Sequence, residues 1–594
     1  MQPFVNNDAT LRLVRAVAIG FAILSGAVGA LLFLQYAGSD GLSGFDILRA
    51  TLIVMATSWI GWGAAQGFLG LMQPKPKPRW STAPIESQTV VIVPVYNEDP
   101  RATFARIAAM DMSIAAQGLA EHVDFAILSD TTNPKIALAE REQLAWLLQR
   151  RHAAGRIFYR RREDNTGKKA GNIEDFVKRS GAAYDFALIL DADSLMDGTT
   201  VGEMIRRMQA EPHLGLLQSL PRVVNARSVF GRAMQFSSAM FAPVFTRGLA
   251  RLQGHAGPFW GHNAMVRMSA FAESCGLPEL EGSPPFGGHI LSHDYVEAAL
   301  LARNGWTVRV DPDLNGSFEE GPENIIGFAK RDRRWCQGNL QHSRIIGAPG
   351  LRGWNRFTFA QGILSYVAPL LWGLFLVASI IATVTNGGPN YFPDPYMPFP
   401  VFPSDRTAQA IGLFAGVVGL LILPKLLIGI ASAVGSDARS FGGPVVLIHS
   451  IVVEIILTSI LAPIMMMFQS RSVFQVLMRA DGGWPAADRD DGRLSFKEAW
   501  TGSWWITLTG ALGLAVTLLL APELTLWVLP VAGPMLIAPW LITVTSYPSQ
   551  DLQVFRAPEE TETPDIVALY HALRQEPLVF SEVSGDLKAF QPAE

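Results

Sequence analysis

Two apolar runs open the chain, near 14–36 and 50–72, and four more follow near 362–384, 408–432, 503–521 and 524–545. Each matches the roughly 20 apolar residues that a helix needs to cross a bilayer. Between the second and third runs lies a normally charged stretch, 73–355. At about 280 residues it has the size of one large α/β domain. A chain divided in this way cannot fold as a single soluble body. It reads as an α/β domain inserted in a helical, multi-span membrane domain. Composition agrees: 49% of residues are hydrophobic and only 17% charged, where soluble domains average about 25% charged. The net charge of −4 supplies no basic field, so no nucleic-acid partner is expected. Only Cys275 and Cys336 occur, which excludes a disulfide-stapled scaffold and a four-cysteine zinc site.

Loop charges predict the orientation. The loop 37–47 holds Asp40 and Asp46 and no base, whereas Lys75, Lys77 and Arg79 follow the second run. The N-terminus and the long domain are therefore expected on the cytoplasmic side. Arg12 and Arg15 before the first run resemble the start of a signal peptide, but a second run follows soon and no small-residue cleavage pattern ends the first. An uncleaved anchor is expected. The loop 386–406, whose one base is Arg406, is expected on the other side.

The segment 443–470 is apolar, yet Arg439 precedes it and Arg471, Arg479, Arg489, Arg493 and Lys497 follow. It also carries Glu454 and Pro463, both costly at mid-bilayer. We expect an amphipathic or re-entrant element on the cytoplasmic face, with six crossings in all and a cytoplasmic C-terminus. The predicted organisation is a transmembrane hairpin (1–72), a cytoplasmic domain (73–355), a helix pair (356–435), interfacial helices (436–502), a second helix pair (503–545) and a tail (546–594). The tail is acidic at its start and is expected to be solvated, with a short helix near 564–574.

Within the domain, Val90–Val95, Phe125–Leu128 and Phe186–Leu190 read as buried strands with helical stretches between them, hence a parallel sheet. Each strand ends in polar or acidic residues: Tyr96-Asn97-Glu98, Ser129-Asp130 and Asp191-Ala192-Asp193. Ligands of such sheets bind at the carboxyl ends of the strands. Alternate side chains of a strand share a face, so Asp191 and Asp193 can point together. Paired carboxylates suit Mg²⁺ or Mn²⁺, and such ions neutralise a diphosphate leaving group. Arg160-Arg161-Arg162 and the run Asn165–Asn172 form a basic, glycine-containing stretch that reads either as a solvated charge run or as a phosphate cradle. No P-loop and no G-x-G-x-x-G motif is present. Ser292-His293-Asp294 follows a flexible stretch, Gly282 to Gly288. Asp294 can take a proton from a hydroxyl, and helix capping is an equally physical reading. Arg331-Asp332-Arg333-Arg334-Trp335 precedes the third run. It reads as an interfacial anchor, or as a diphosphate and sugar platform.

Taken in order, V-P-V-Y-N-E (93–98), S-D (129–130), K-A-G-N (169–172), D-A-D (191–193), S-H-D (292–294) and R-D-R-R-W (331–335) resemble the family 2 glycosyltransferases of GT-A fold. The flanking runs look like those of processive membrane synthases such as cellulose and hyaluronan synthases. Ser129–Pro134, Gly261–Ala264 and Arg331–Asn339 look like the glucans biosynthesis glucosyltransferase H family. That resemblance implies synthesis of the backbone of osmoregulated periplasmic glucans from UDP-glucose, with a β-1,2 linkage and export of the product. It implies that Tyr96, Glu98 and Asp130 hold uridine, that Lys169 and Asn172 lie near the nucleotide and phosphates, and that Asp191 contacts the nucleotide. It further implies that Asp193 ligates Mg²⁺ or Mn²⁺, Asp294 is the general base, Arg334 binds the diphosphate and Trp335 stacks on the acceptor sugar. Arg331 stands where the family usually has Gln. Phe474–Gly482 loosely resembles the gating loop of cellulose synthases, without its Thr and Lys.

The resemblance implies an inverting transfer to a growing glucan chain, in contact with the lipid bilayer of a bacterial inner membrane and with a periplasmic glucan-processing partner. Three other readings stand beside it: another β-glycan synthase, a UDP-sugar-sensing transporter without catalysis, and transfer to a lipid phosphate.

Overall fold

The computed structural model describes residues 8–37, 42–75, 80–385, 406–480, 492–549 and 553–577. Asp40, Lys77, Arg79, nearly all of the loop 386–406, and Asp481, Gly482 and Arg489 lie outside them. Two long apolar helices come first, α1 (Asp8–Ala37) and α2 (Gly44–Met72). The domain that follows runs β1 (Thr89–Val95), α3 (Pro100–Ala116), β2 (Val123–Ser129), α4 (Pro134–Arg151), β3 (Ile157–Arg161), α5 (Lys168–Ser180), β4 (Phe186–Ile189), β5 (Leu195–Met196) and α6 (Gly198–Ala210). It continues with β6 (Leu214–Gln218), β7 (Arg222–Val224), α7 (Val229–Gln253), β8 (Ala264–Arg267), α8 (Met268–Ser274), α9 (His293–Arg303), β9 (Thr307–Val310), β10 (Ser317–Glu320) and α10 (Ile325–Gln341). Then come α11 (Gly353–Thr385), α12 (Thr407–Val434), α13 (Pro444–Leu477), α14 (Phe496–Leu520), α15 (Thr525–Leu536), α16 (Ala538–Thr545), α17 (Pro558–Thr561) and α18 (Asp565–Gln575).

The main sheet has the order β3-β2-β1-β4-β8-β6-β9. Its central strands are apolar on both faces because both faces are covered. Val91 and Val93 of β1 and Phe125 and Ile127 of β2 enter one core with α3, while Val90, Ile92, Ala126 and Leu128 enter the other. Each fully buried Val, Ile or Phe contributes about 1.5–3 kcal/mol. The three strands read from the sequence are parallel as expected, but the sheet as a whole is mixed. Strands β3, β2, β1 and β4 are parallel, but β8 is antiparallel to both β4 and β6. The cause is α7, which leaves the sheet to pack on α12 and α13, so the chain re-enters from the opposite end. A second sheet, β5-β10-β7, lies beside the first.

Six helices among the described residues are long and apolar enough to cross a membrane, and Pro522–Leu536 with Ala538–Thr545 adds a pair bent by 58°. The expected continuous span at 524–545 is thus a broken one, interrupted where Pro530, Pro534 and Pro539 cannot donate to the helix ladder. Helix α13 is one of the six. Both of its ends nevertheless contact the α/β domain side of the molecule. Near the start, the Ser450 hydroxyl accepts from the Phe555 amide (3.0 Å), and Leu447 and Ile451 pack on Phe236 and Phe241 of α7. Near the end, Arg333 Nε of α10 donates to Gln475 Oε1 (3.0 Å), and Val473 and Val476 pack on Cys336 and Leu340. The helix runs along α10 and also packs on α11, α12 and α15, touching α7 only near its start. Its Glu454 is 1% exposed and receives Lys425 of α12 at 2.7 Å.

The tail differs from the solvated segment expected. Ile566, Val567, Tyr570 and Leu573 of α18 enter the same core as Phe104 and Ile107. An amphipathic 11-residue helix that finds an apolar groove on α3 gains more by docking than by hydration.

Candidate functional site

The polar ends of β1, β2 and β4 meet at one edge of the sheet. The turn after β1 is held by Asn97, which sits at φ 54°. Its backbone N–H donates to Thr131 Oγ1 (3.0 Å) and its Oδ1 accepts from the amides of Thr132 and Asn133. This locks the β1 and β2 turns together and leaves Tyr96 and Glu98 half-buried between them.

Asp130 is buried and doubly held. Arg162 donates to both of its oxygens (2.8 and 2.7 Å), and Asn172 Nδ2 donates to Oδ1 (2.9 Å). Asn172 also donates to the Leu128 carbonyl and is 1% exposed, so it ties α5 to β2 rather than facing open space. The reading of Arg160–Arg162 as a phosphate cradle is corrected here. Arg160 is paired with Asp175, Arg161 Nε donates to the Thr131 carbonyl (2.9 Å), and Arg162 is spent on Asp130.

Lys169 Nζ is ion-paired with Asp191 and donates to the Gly261 carbonyl (2.7 Å). Burial works against ionisation of Asp191, but the charges of Lys169, His262 and Arg331 outweigh it and hold the carboxyl well below its ordinary range. Asp193 is 6% exposed and lies in the field of the Arg106 guanidinium. Beside Gly261 also stands Asp294, in the first turn of α9. A Cβ on Gly261 would lie 3.5 Å from its carboxylate. The helix starts at His293 rather than near Tyr295, the Ser292 side chain makes no capping bond, and Asp294 is the acidic residue of its first turn. Burial pushes the Asp294 carboxyl up; His293 opposes the shift and Glu297 adds to it.

Helix α10 closes the site. Arg331 Nη2 lies 3.9 Å from Glu319 Oε2 of β10, and its guanidinium sits 4.6 Å from the centroid of Trp335. Trp335 is 43% exposed. Arg334 projects from the same helix and is half-buried. Glu319 and His262 face each other at 3.7 Å; His262 lies in the Gly261–Ala264 stretch but the sequence gives it no role, and Glu319 carries no motif. They belong to a short strand and a loop that only the fold brings to Asp191. Burial raises the Glu319 carboxyl; His262 and Arg331 pull it down, and Asp193 and Asp191 push it further up.

Three carboxylates within electrostatic reach of one another fit a hard divalent cation in chemistry. Among the described residues, no three His, Cys, Asp or Glu side chains gather into a complete cage. A cation here would need ligand oxygens, such as those of a diphosphate, to fill its shell.

Comparison with known proteins gives the family. The model of glycosyl transferase family 2 matches residues 90–274, and that of glycosyl transferase family group 2 matches 186–423. The protein is thus a glycosyltransferase with a GT-A-like α/β domain joined to long apolar helices. A glucans biosynthesis glucosyltransferase H of Cereibacter sphaeroides is 57% identical over 556 residues, 93% of each chain. Proteins of the same name from Vibrio cholerae (39%, covering 95% of this chain and 80% of that one) and Bradyrhizobium diazoefficiens (40%, 89% and 72%) match along nearly the same length. A solved mannosyltransferase of Pyrobaculum calidifontis, in complex with GDP-Man and Mn²⁺, covers 65% of this chain and 98% of its own at 13% identity and a TM-score of 0.42. The chain belongs to the glucans biosynthesis glucosyltransferase H family.

Proposed function

We propose that the protein is an inverting glucosyltransferase that lengthens a periplasmic glucan backbone from UDP-glucose, with β-1,2 linkages, and passes the product across the inner membrane. The observation that carries this reading is that Asp294 and the Lys169–Asp191 pair both meet at Gly261, Asp294 beside its Cα and Lys169 on its carbonyl. A donor diphosphate at the strand ends and an acceptor hydroxyl at α9 would then meet between them.

In the proposed step Asp294 accepts the proton of the acceptor hydroxyl. The freed oxygen pair forms a bond to the anomeric carbon, the bond from that carbon to the diphosphate oxygen breaks, and UDP departs with the electron pair. Tyr96, Glu98 and Asp130 hold the uridine side, Lys169 and Asn172 shape the floor beside the phosphates, and Arg334 faces the diphosphate. Trp335 offers a flat apolar face to the acceptor sugar. A divalent cation, Mg²⁺ or Mn²⁺, held by Asp193 with Asp191 beside it, would neutralise charge developing on the diphosphate.

Six crossings fit the positions of the helix ends. Arg15 of α1 donates to the Leu252 and Gln253 carbonyls at the end of α7, Lys75 after α2 is paired with Asp437 after α12, and Leu494 before α14 donates to Ser546 after α16. These ends lie on the side of the α/β domain, which we place in the cytoplasm, and α13 lies in the interface between domain and bilayer.

The test is incubation of detergent-solubilised protein with labelled UDP-glucose and Mg²⁺, then digestion of the product. A polymer cut by a β-1,2-glucanase but not by cellulase is the expected result. Cleavage by cellulase would overturn the linkage, and absence of glucose transfer would overturn the donor.

A further inference from the structure

The C-terminal helix reaches the acidic strand end through one side chain. Arg106 of α3 is 3% exposed and has three partners. Its Nη1 donates to the carbonyl of Ala192, the middle residue of Asp191-Ala192-Asp193 (3.1 Å). Its Nη2 lies 2.8 Å from Glu320 Oε2. Its guanidinium stacks on the ring of Tyr570 of α18, 4.8 Å from the centroid.

The neighbouring residue of α18 bears on the same carboxylate. His571 Nε2 meets Asn225 Oδ1 at 2.8 Å, and Asn225 Nδ2 donates to Glu320 Oε1 (3.0 Å). Both oxygens of Glu320 are thereby engaged. Side chains alternate along a strand, so β10 presents Glu320 to this clamp and Glu319 to Arg331 and His262. The helix itself is pinned by Arg101, which donates to the carbonyls of Arg574 (2.6 Å) and Glu576 (2.7 Å). A tail about 375 residues downstream of the acidic motif thus sets the geometry on both of its flanks, the Ala192 carbonyl and strand β10.

We propose that Arg106, seated by Tyr570, is a positioning residue for donor binding, and that α18 is part of the donor site rather than a terminal appendage. The proposal rests on the reading of Asp191 and Asp193 as donor-binding residues. Tyr570 touches no substrate. It fixes a guanidinium that otherwise has rotameric freedom, and so fixes the peptide between the two aspartates.

The experiment uses the full chain in detergent and three substitutions. Tyr570→Leu removes the cation–π face but keeps apolar bulk, Tyr570→Phe keeps the ring, and Arg106→Lys keeps the charge but cannot reach both Ala192 and Glu320. UDP affinity is measured by calorimetry, and donor KM and kcat by transfer. The expected result is a UDP Kd and a donor KM raised at least fivefold in Tyr570→Leu and Arg106→Lys, with kcat changed less than twofold. Tyr570→Phe should restore the parent's affinity. Should Tyr570→Leu fail to fold, Arg106→Lys carries the comparison. Unchanged UDP affinity in a folded Arg106→Lys or Tyr570→Leu protein would overturn the proposal and leave α18 a stabilising element only. Failure of the parent itself to bind UDP would overturn the donor reading instead. The nucleoside diphosphate that the parent does bind, found from a panel, then carries the same comparison.

Discussion

Gly338 of α10 lies so close to Ser292 that a Cβ on the glycine would come within 2.1 Å of the Ser292 hydroxyl and 2.7 Å of its backbone nitrogen. The pairing fixes how near α10, with Arg331 and Trp335, approaches the turn that starts α9 and carries Asp294. The His342 ring, one turn further on, contacts the Ser292 carbonyl at 2.9 Å and reinforces it. Gly338→Ala must therefore shift α10 and the turn that carries Asp294 relative to one another. Displacement of about 1 Å at a reacting group can cost roughly 100-fold in rate, so transfer should fall by about that factor. UDP affinity should fall less than the rate, because β1, β2 and β4 are untouched and only Arg331 and Arg334 of α10 reach the donor side. Ser292→Gly combined with Gly338→Ala removes the hydroxyl and Cβ clash and should recover part of the rate. A single variant with parental kcat would show that the contact is slack.

The pH dependence follows from Asp294. Burial raises its carboxyl above the ordinary aspartate range, against the pull of His293. The base is ionised only above that raised value, so transfer should fall on acidification earlier than an ordinary aspartate would dictate. A carboxyl raised on folding lends stability below its unfolded value and loses that contribution as pH rises through the folded one. At neutral pH its ionised form costs stability. Asp294→Asn should then lose at least about 100-fold in transfer while its thermal midpoint at pH 8 equals or exceeds the parent's. Initial rates and unfolding midpoints measured from pH 5 to 9 check both halves. An Asn variant less stable than the parent at pH 8 would contradict the burial cost.

Much of this site can be read along the chain, and the limits have physical causes. The ends of β1, β2 and β4 are visible because an apolar run buried on both faces is followed abruptly by carboxylates, a pattern the sheet itself demands. The direction of β8 is invisible, because nothing in Ala264–Arg267 records that α7 has carried the chain around. Arg162 reads as a free cation in the sequence and is spent on Asp130 in the fold. Glu319 and Arg106 carry no motif and His262 lies in the Gly261–Ala264 stretch without a role; their relation to Asp191 and Asp193 exists only through β10, α3 and the loop before β8. Tyr570 is hidden for a further reason. The acidic run before it reads as a solvated tail, yet Glu559 is 7% exposed and paired with Arg222, and Glu560 is paired with Arg232.

Lys425 and Glu454 join α12 to α13, with the lysine over the Phe241 ring at 5.1 Å. Glu454 is almost wholly buried, whereas Lys425 keeps about a quarter of its side chain exposed. Removing the lysine leaves a buried carboxylate without its partner. Lys425→Met should therefore destabilise the protein by roughly 3 kcal/mol, the low end for a broken buried pair. Glu454→Leu on the same background removes the stranded charge and should return most of that loss. Thermal unfolding of the two single variants and the double variant in one detergent measures the coupling. Additive losses would mean that the pair contributes nothing as a pair.

Trp335 is held for use rather than buried for stability. Its indole is nearly half exposed, and Arg331, which stacks on it at 4.6 Å, is itself drawn towards Glu319 at 3.9 Å. The arginine occupies one face of the ring and orients the other, so a sugar can stack without a search for the rotamer. Loss of one such contact is worth about 1.4 kcal/mol, or tenfold. Trp335→Ala should lower glucan elongation about tenfold at fixed acceptor, while Trp335→Phe, which keeps a flat face, should lose much less. Release of UDP without an acceptor reports the donor half of the site alone, and it should be unchanged in both variants. If Trp335→Ala reduced both reactions equally, the indole would be acting on the donor side through Arg331 and Glu319, and the acceptor role would pass to another side chain.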